Sequence, residues 1–541
     1  MLMEGTAVPP RPTWPAGAGE QWSGCRRSPL IELVRHAAEE NPHHVPLVFD
    51  DGTEVTNAEI VARTGQLAGF LADYVNVGDR VALAVGNRVE FVTAYLAVVA
   101  NRGAVVMLSP ELGAHEADFA LADSGCRIAI VDGPAVAVFE QAATRVDHPV
   151  QVFSVEGQEK HGFDHLTDHS AALDLTQIPA ELDDLIDIGY TSGTTGLPKA
   201  LGGTHLGLLR YLDVHLRFGG SGPETRTLYP LQFHYGDPLT GLFAAIVGGA
   251  TAIVMRQFSA SRFWATARDT GATSIFTIGS IPDMLLSCNP SDADRDHVVT
   301  SAIAIAIPSS RHRDLQDRFG FAWREVYGSS ETGPAIAMPA EFADFYVGTG
   351  ALGIPYPEVE ARLVTEDGTV VDGPGVGELQ VSGEHQFTGY LNNAEATTEV
   401  MDRGWLRTGD VLRRDELGVY YFEGRRKELI RRSGVNIAPA EIEAVLRLHP
   451  TVQDAAAVPV ADAMMGEEVK VYVELVDGAE WNPAALHEHC AERLSKRKLP
   501  RYFEHRIEAF PRTETQRIPK KQLQVEGSHR TDTAWDSSAG R

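Results

Sequence analysis

Cysteine is scarce in this chain. The four present, Cys25, Cys126, Cys288 and Cys490, are scattered without CxxC spacing or a neighbouring histidine cluster. That distribution excludes a disulfide scaffold and a thiolate metal site, and it reads as reduced thiols in a cytoplasmic protein. Positive charge is short as well, with 47 Lys and Arg against 74 Asp and Glu and a formal net charge of -27. Such a surface repels nucleic acid and anionic membrane, so neither is expected as a partner, and a polyanionic ligand must meet a local basic patch. No apolar run reaches membrane-spanning length, and the opening MLMEGTAVPPRPTWPAGAGEQ lacks the charged-then-apolar order of a signal peptide. Also missing are a GxxxxGK[ST] phosphate loop and any fixed-period repeat.

What is present is ordinary globular material in quantity. The 541 residues are 43% hydrophobic and 22% charged, enough for roughly two to four core-bearing units. From Ile31 to about Pro149, short β-like runs such as VALAV (Val81 to Val85) and AVVML (Ala104 to Leu108) alternate with apolar stretches of helical spacing such as EFVTAYLAVVANRG. The alternation predicts an α/β fold with helix-covered parallel sheets. It resumes in GLFAAIVGGATAIVM (Gly241 to Met255) and FWATARDTGATSIFTIG (Phe263 to Gly279). Short strands and turns from Gly350 to about Tyr421 predict a β-rich lobe. Beyond it, AEIEAVLRLHP, AAAVPV and VKVYVEL predict a small α+β domain. The expected division is a loose tail over 1–27, a large domain over 28–422, a small mobile domain over 423–525 and a second loose tail over 526–541.

One segment asks for a ligand. YTSGTTGLPKA, Tyr190 to Ala200, follows the strand-like LIDIGY and combines glycines, hydroxyl side chains and one lysine. Gly193 and Gly196 allow backbone shapes in which successive N–H groups converge on an anion. Thr191, Ser192, Thr194 and Thr195 supply hydroxyl donors, and Lys199 a compact positive charge. On composition alone the segment is either a phosphate cradle or a plain surface loop.

Further segments follow in a set order: VYGSSETG (Val326 to Gly333), GEL (Gly377 to Leu379), GWLRTGD (Gly404 to Asp410) and FEGRRKELIRRSGVNIAPAEIE (Phe422 to Glu443). With the glycine loop, they resemble the motif series of the adenylate-forming superfamily, which includes acyl-CoA synthetases, carrier-linked adenylation domains and beetle luciferases. The resemblance runs from roughly Ile31 to Leu523. It implies that the loop, with Gly328, Ser329 and Ser330 of the second motif, holds ATP, and that Tyr327 stacks on adenine. It further implies that Glu331, with Thr191, holds Mg²⁺, a cation that takes oxygen ligands. Asp410 then accepts the ribose hydroxyls, Arg425 contacts the ribose-phosphate region, Lys427 is the hinge of the small domain, and Gly434 lies where coenzyme A passes. Arg431, Arg432 and SKRKLPR (Ser495 to Arg501) offer a basic region for a phosphate-bearing acceptor.

The chain departs from the family pattern in three places. Near the end, PRTETQRIPKKQL places Gln516 and Arg517 where Gly-Lys is usual. Arg517 keeps the charge and can fork onto carboxylate and phosphate oxygens, with Lys520 or Lys521 as substitutes if the loop shifts. At the acid pocket, IAIPSS (Ile305 to Ser310) and Val326 add bulk, with Gly279 nearby, so a short-to-medium or flat aryl acid is expected. In LQFHYGDP, His234 resembles a residue lining the acid site, whereas Asp237 either caps the next helix or recognises an ammonium group. The implied activity is an ATP-dependent acid–CoA ligase. Transfer to a carrier-protein thiol, activation of an oxyacid such as nitrite, and a catalytically weak nucleotide-binding homologue remain open at this point.

Overall fold

The computed structural model describes residues 9–15, 28–156, 171–177, 180–191, 198–219, 222–278, 281–383, 387–426, 428–432, 435–462, 465–496, 498–512, 518–527 and 533–538. Two sheets build the large domain. In the first, the strand order is Gln151–Ser154, Ile128–Val131, Arg80–Ala84, Ala104–Met107, Leu185–Thr191 and Lys199–Thr204. Its pairings are parallel until the last two strands, which pair antiparallel. In the second, parallel strands that include Arg226–Tyr229, Ser274–Ile278, Ser301–Ile305 and Ala322–Ser329 continue through the strand Gly333–Ala337 into an antiparallel lobe. The predicted helix-covered sheets and β-rich lobe are both present.

Helix Val89–Ala100 occupies the core, and apart from Glu90 every residue in it is buried. A helix that is apolar all round has no solvent face to offer, which is why EFVTAYLAVVA sits inside the domain. One of its polar ties reaches the site: the Tyr95 hydroxyl donates to Asp187 Oδ2 at 2.8 Å and anchors the strand Leu185–Thr191 that leads into the glycine loop. Burial lifts Asp187 to about 6.

The small domain has its own sheet, whose main-path strands are Val435–Ile437, Ile430–Arg432, Gly466–Leu475, Tyr502–His505 and Trp535–Asp536, with Val452–Asp462 pairing beside Gly466–Leu475. A separate apolar cluster including Ile430, Ile442, Val471, Leu486 and Phe503 holds it together.

Two boundaries differ from expectation. The large domain continues to Arg425, because strand Tyr420–Arg425 pairs with Trp405–Arg414 and places Arg425 opposite Asp410. Parts of both tails are packed. Trp14 donates from Nε1 to the Pro355 carbonyl at 2.7 Å and stacks on Tyr356, and Trp535–Asp536 adds an edge strand to the small sheet. A Pro/Gly-rich or polar segment reads as loose when the aromatic that ties it down finds its partner outside the segment, as Trp14 does at Tyr356 and Trp535 at Phe503. Among the described residues no helix is long and apolar enough to cross a membrane.

Candidate active site

Both domains line one cleft of about 3220 Å³. In its wall, Tyr327 and Asp410 come from different strands and meet: the Tyr327 hydroxyl donates to Asp410 Oδ2 at 2.8 Å, and Arg425 Nε lies 3.3 Å from Asp410 Oδ1. Burial, reinforced by the Asp410 charge, pushes the Tyr327 hydroxyl far up, so it stays a donor. Strand register makes the Asp410–Arg425 pair, while the RTGD segment of strand Trp405–Arg414 is held by Glu378 of the GEL motif on the neighbouring strand. Its carboxylate accepts from the Gly409 N–H at 3.2 Å and pairs with Arg426 at 2.9 Å. Arg426 is therefore an anchored residue, which a run of surface charge does not suggest.

The YGSSETG turn closes on itself. The Ser329 N–H donates to Thr332 Oγ1 at 2.8 Å, and the Thr332 N–H returns to Ser329 Oγ at 3.1 Å. A side chain at Gly328 has no room, since a Cβ there would lie 2.5 Å from the Gly333 carbonyl oxygen. Ser330 lines the cleft and is exposed.

A second cluster forms beside this turn. Lys199 stands opposite Thr191 in the antiparallel pair that brackets the glycine loop, and its Nζ lies 4.7 Å from the Tyr390 ring centroid. The Tyr390 hydroxyl donates to Glu331 Oε1 at 2.8 Å. Burial and then the Glu331 charge raise the Tyr390 hydroxyl. Sequence reasoning missed Tyr390; its signal, an aromatic in the polar turn FTGYLNN, does not distinguish it from core filling. Ser192, Gly193, Thr194, Thr195 and Gly196 lie outside the described residues, as do Gly279, Lys427, Gly434 and Arg517.

His234, Asp237, Ile305 and Val326, the residues expected to meet the acid, line the same cleft. Both His234 ring nitrogens are buried without a hydrogen-bond partner among the described residues, and burial pushes the ring down to about 4, so it is neutral at pH 7. Asp237 is the first residue of helix Asp237–Gly248 and makes no side-chain cap. It accepts from the Tyr211 hydroxyl instead, and burial raises its carboxyl. The capping expectation for Asp237 is thereby replaced.

From the small domain, Arg512, Ile518 and Lys520 line the cleft on either side of the segment that carries Arg517. Lys520 is already engaged, with Nζ 2.7 Å from Glu443 Oε1 and 3.7 Å from Glu428 Oε2. Much of the expected basic region is likewise internal to the domain: Arg432 pairs with Glu468, Lys498 with Glu441, and Arg501 with Asp462 and Asp536. The acidic composition fits this, since carboxylates outnumber basic side chains and each of these three has one within reach.

Among the described residues there is no group of three or more His, Cys, Asp or Glu side chains arranged to hold a metal. The Glu331 carboxylate nevertheless supplies the hard oxygen donor that suits Mg²⁺ in company with phosphate oxygens.

Comparison with known proteins shows the family and the fold. The family model for AMP-binding enzymes matches residues 34–391, and that for the AMP-binding enzyme C-terminal domain matches residues 441–517. A sulfoacetate–CoA ligase of Cupriavidus necator is 34% identical over 358 residues, covering 66% of this chain and 69% of that protein. A crotonobetaine/carnitine–CoA ligase of Escherichia fergusonii is 28% identical over 527 residues, covering 91% and 98%. Among solved structures, the o-succinylbenzoate CoA synthetase of Bacillus subtilis in complex with its acyl-adenylate intermediate superposes with a TM-score of 0.79 at 27% identity, covering 92% of this chain and 98% of that one. The ATP-bound MatB of Rhodopseudomonas palustris gives 0.83 at 25% identity, covering 92% and 99%.

Proposed function

The chain belongs to the AMP-binding enzymes, and from that premise we propose that it joins a carboxylic acid to coenzyme A in two ATP-dependent steps. In the first, a carboxylate oxygen of the acid attacks the α-phosphorus of ATP and pyrophosphate leaves. In the second, the thiol of coenzyme A attacks the acyl carbon and AMP leaves. The enzyme is an AMP-forming acid–thiol ligase.

The residues contribute placement and charge. Asp410, held between the Tyr327 hydroxyl and Arg425, presents a carboxylate to the ribose hydroxyls, and the Tyr327 ring forms a wall for the adenine. Lys199 and the glycine loop balance the charge of the two outer phosphates. Glu331 and Thr191 are the proposed Mg²⁺ donors, and Mg²⁺ bound there supplies neutralisation of the charge that develops on pyrophosphate. Arg517 is assigned to the bridge between the acid and the α-phosphate, a role supported by the position of Arg512 and Ile518 on the cleft wall and by the engagement of Lys520 with Glu443. Lys427 as hinge and Gly434 beside coenzyme A complete the assignment. Ile305 and Val326 narrow the acid end, which favours a short-to-medium or aryl acid over a long chain.

The observation that carries the reading is the meeting in one cleft of Tyr327–Asp410–Arg425 with Lys199–Tyr390–Glu331. The experiment is a panel of short, medium and aryl acids incubated with MgATP, with and without coenzyme A. Acid-dependent release of AMP and pyrophosphate, with acyl-CoA formed only when coenzyme A is present, is expected. Release of ADP and phosphate, or no acid dependence with any member, contradicts it.

A further inference from the structure

The acid end of the cleft has a chemical character that the reaction itself does not require. Tyr211 and His215 on helix His205–Phe218, with Tyr229 and Phe276 on adjacent strands, form a run of rings, with centroids 5.2 Å apart for Tyr211 and His215, 6.2 Å for His215 and Phe276, and 5.9 Å for Tyr229 and Phe276. Gly241 makes room for this wall, since a Cβ there would lie 2.1 Å from the Tyr229 hydroxyl oxygen. Beside the rings stands the Asp237 carboxylate, which accepts from the Tyr211 hydroxyl and forms no ion pair among the described residues. The nearby imidazoles provide no counter-charge, because burial pushes both His215 and His234 down to about 4. His234 adds two buried ring nitrogens that have no partner among the described residues, in the wall of the cleft.

A buried carboxylate without a cation is costly, and aromatic faces attract cations by their quadrupoles. A ligand cation placed here satisfies both. A second anion on the ligand, by contrast, would be desolvated next to a carboxylate. Building on the ligase reading above, we propose that the acid accepted at this cleft carries a positively charged ammonium or quaternary ammonium group, held between Asp237 and the aromatic wall of Tyr211, His215, Tyr229 and Phe276.

The test compares each cationic acid with its uncharged carbon isostere in pyrophosphate release by the full chain: 4-trimethylammoniobutyrate against 5,5-dimethylhexanoate, and trimethylammonioacetate against 3,3-dimethylbutanoate. The cationic member of at least one pair is expected to have a kcat/KM higher by about tenfold or more. In Asp237→Asn that preference should fall by roughly 10- to 100-fold, the size of a lost charge-assisted contact, with an unchanged thermal midpoint reporting a folded protein. Tyr211→Phe, which frees the carboxylate of its hydroxyl partner, should keep the preference. Equal or better use of both isosteres by the unaltered protein overturns the inference while leaving the ligase reading intact, and this comparison decides the matter even if Asp237→Asn fails to fold. A preference undiminished in a folded Asp237→Asn, or lost in Tyr211→Phe, also overturns it. Absence of pyrophosphate release with every acid overturns the ligase reading itself and this inference with it.

Discussion

Asp410 is held by two neighbours of different kinds, a neutral donor at 2.8 Å and a guanidinium at 3.3 Å. Both fix the carboxylate before nucleotide arrives, so little ordering remains to be done on binding. Replacing Asp410 by Asn keeps the shape and removes the charge. ATP affinity, read by calorimetry, should weaken by about tenfold to 100-fold, since hydrogen bonds to a charged group contribute about 1.5–3 kcal/mol. Tyr327→Phe leaves the carboxylate's charge in place and acts on nucleotide only through Asp410, so it should cost less; an unchanged affinity in Asp410→Asn would remove the residue from the nucleotide site. Asp410, Arg425 and Tyr327 were legible in the sequence because ordered motifs carry them. Tyr390 and the tyrosines around Asp237 were not, because an aromatic in a turn, helix or strand reads the same whether it fills a core or faces a ligand. Only the fold decides.

The loop that follows strand Ser301–Ile305 shows the same limit for an element. In the sequence, IAIPSS is legible as added bulk. In the structure Ala306 has φ +68°, a left-handed conformation unusual for a residue with a side chain. Glu325 of the adjacent strand secures it: the Ile307 N–H donates to both carboxyl oxygens, at 3.0 and 2.9 Å. Burial raises Glu325 to about 8 despite these bonds. A carboxyl raised in this way keeps its proton in the folded state after the unfolded chain has released it near 4.5. Its contribution to stability is therefore complete at low pH and is lost progressively as pH rises from about 4.5 to about 8. Glu325→Gln cannot titrate, so the thermal midpoint of this variant should fall less than that of the parent between pH 5 and pH 8. Parallel profiles would show that Glu325 does not bind the extra proton.

In the whole molecule, the two domains divide the work, and the choice of cation from the small domain is open to experiment. Lys520 neutralises Glu443, a buried carboxylate that also accepts from the Ala457 N–H at 2.8 Å. Lys520→Ala leaves Glu443 with only the more distant guanidinium of Arg447, at 4.0 Å, and should destabilise the small domain by about 1–3 kcal/mol, measured by denaturant unfolding, with little change in the rate of pyrophosphate release. Arg517→Ala should do the opposite, slowing that rate by about 10²-fold or more at nearly unchanged stability. If pyrophosphate release is unchanged in Arg517→Ala, the bridge belongs to another residue. The overall division into a large α/β domain, a β-rich lobe and a small α+β domain was legible because strand and helix periods alternate cleanly. The packing of Trp14 and Trp535 was not, because both depend on contacts far away in sequence.

The decisive measurement follows an oxygen atom. The acid that gives the fastest pyrophosphate release is prepared with oxygen-18 in its carboxylate and turned over with MgATP and coenzyme A. Attack of that carboxylate on the α-phosphorus transfers one labelled oxygen to AMP and none to pyrophosphate. Unlabelled AMP, or label in released phosphate, means that the bond forms elsewhere.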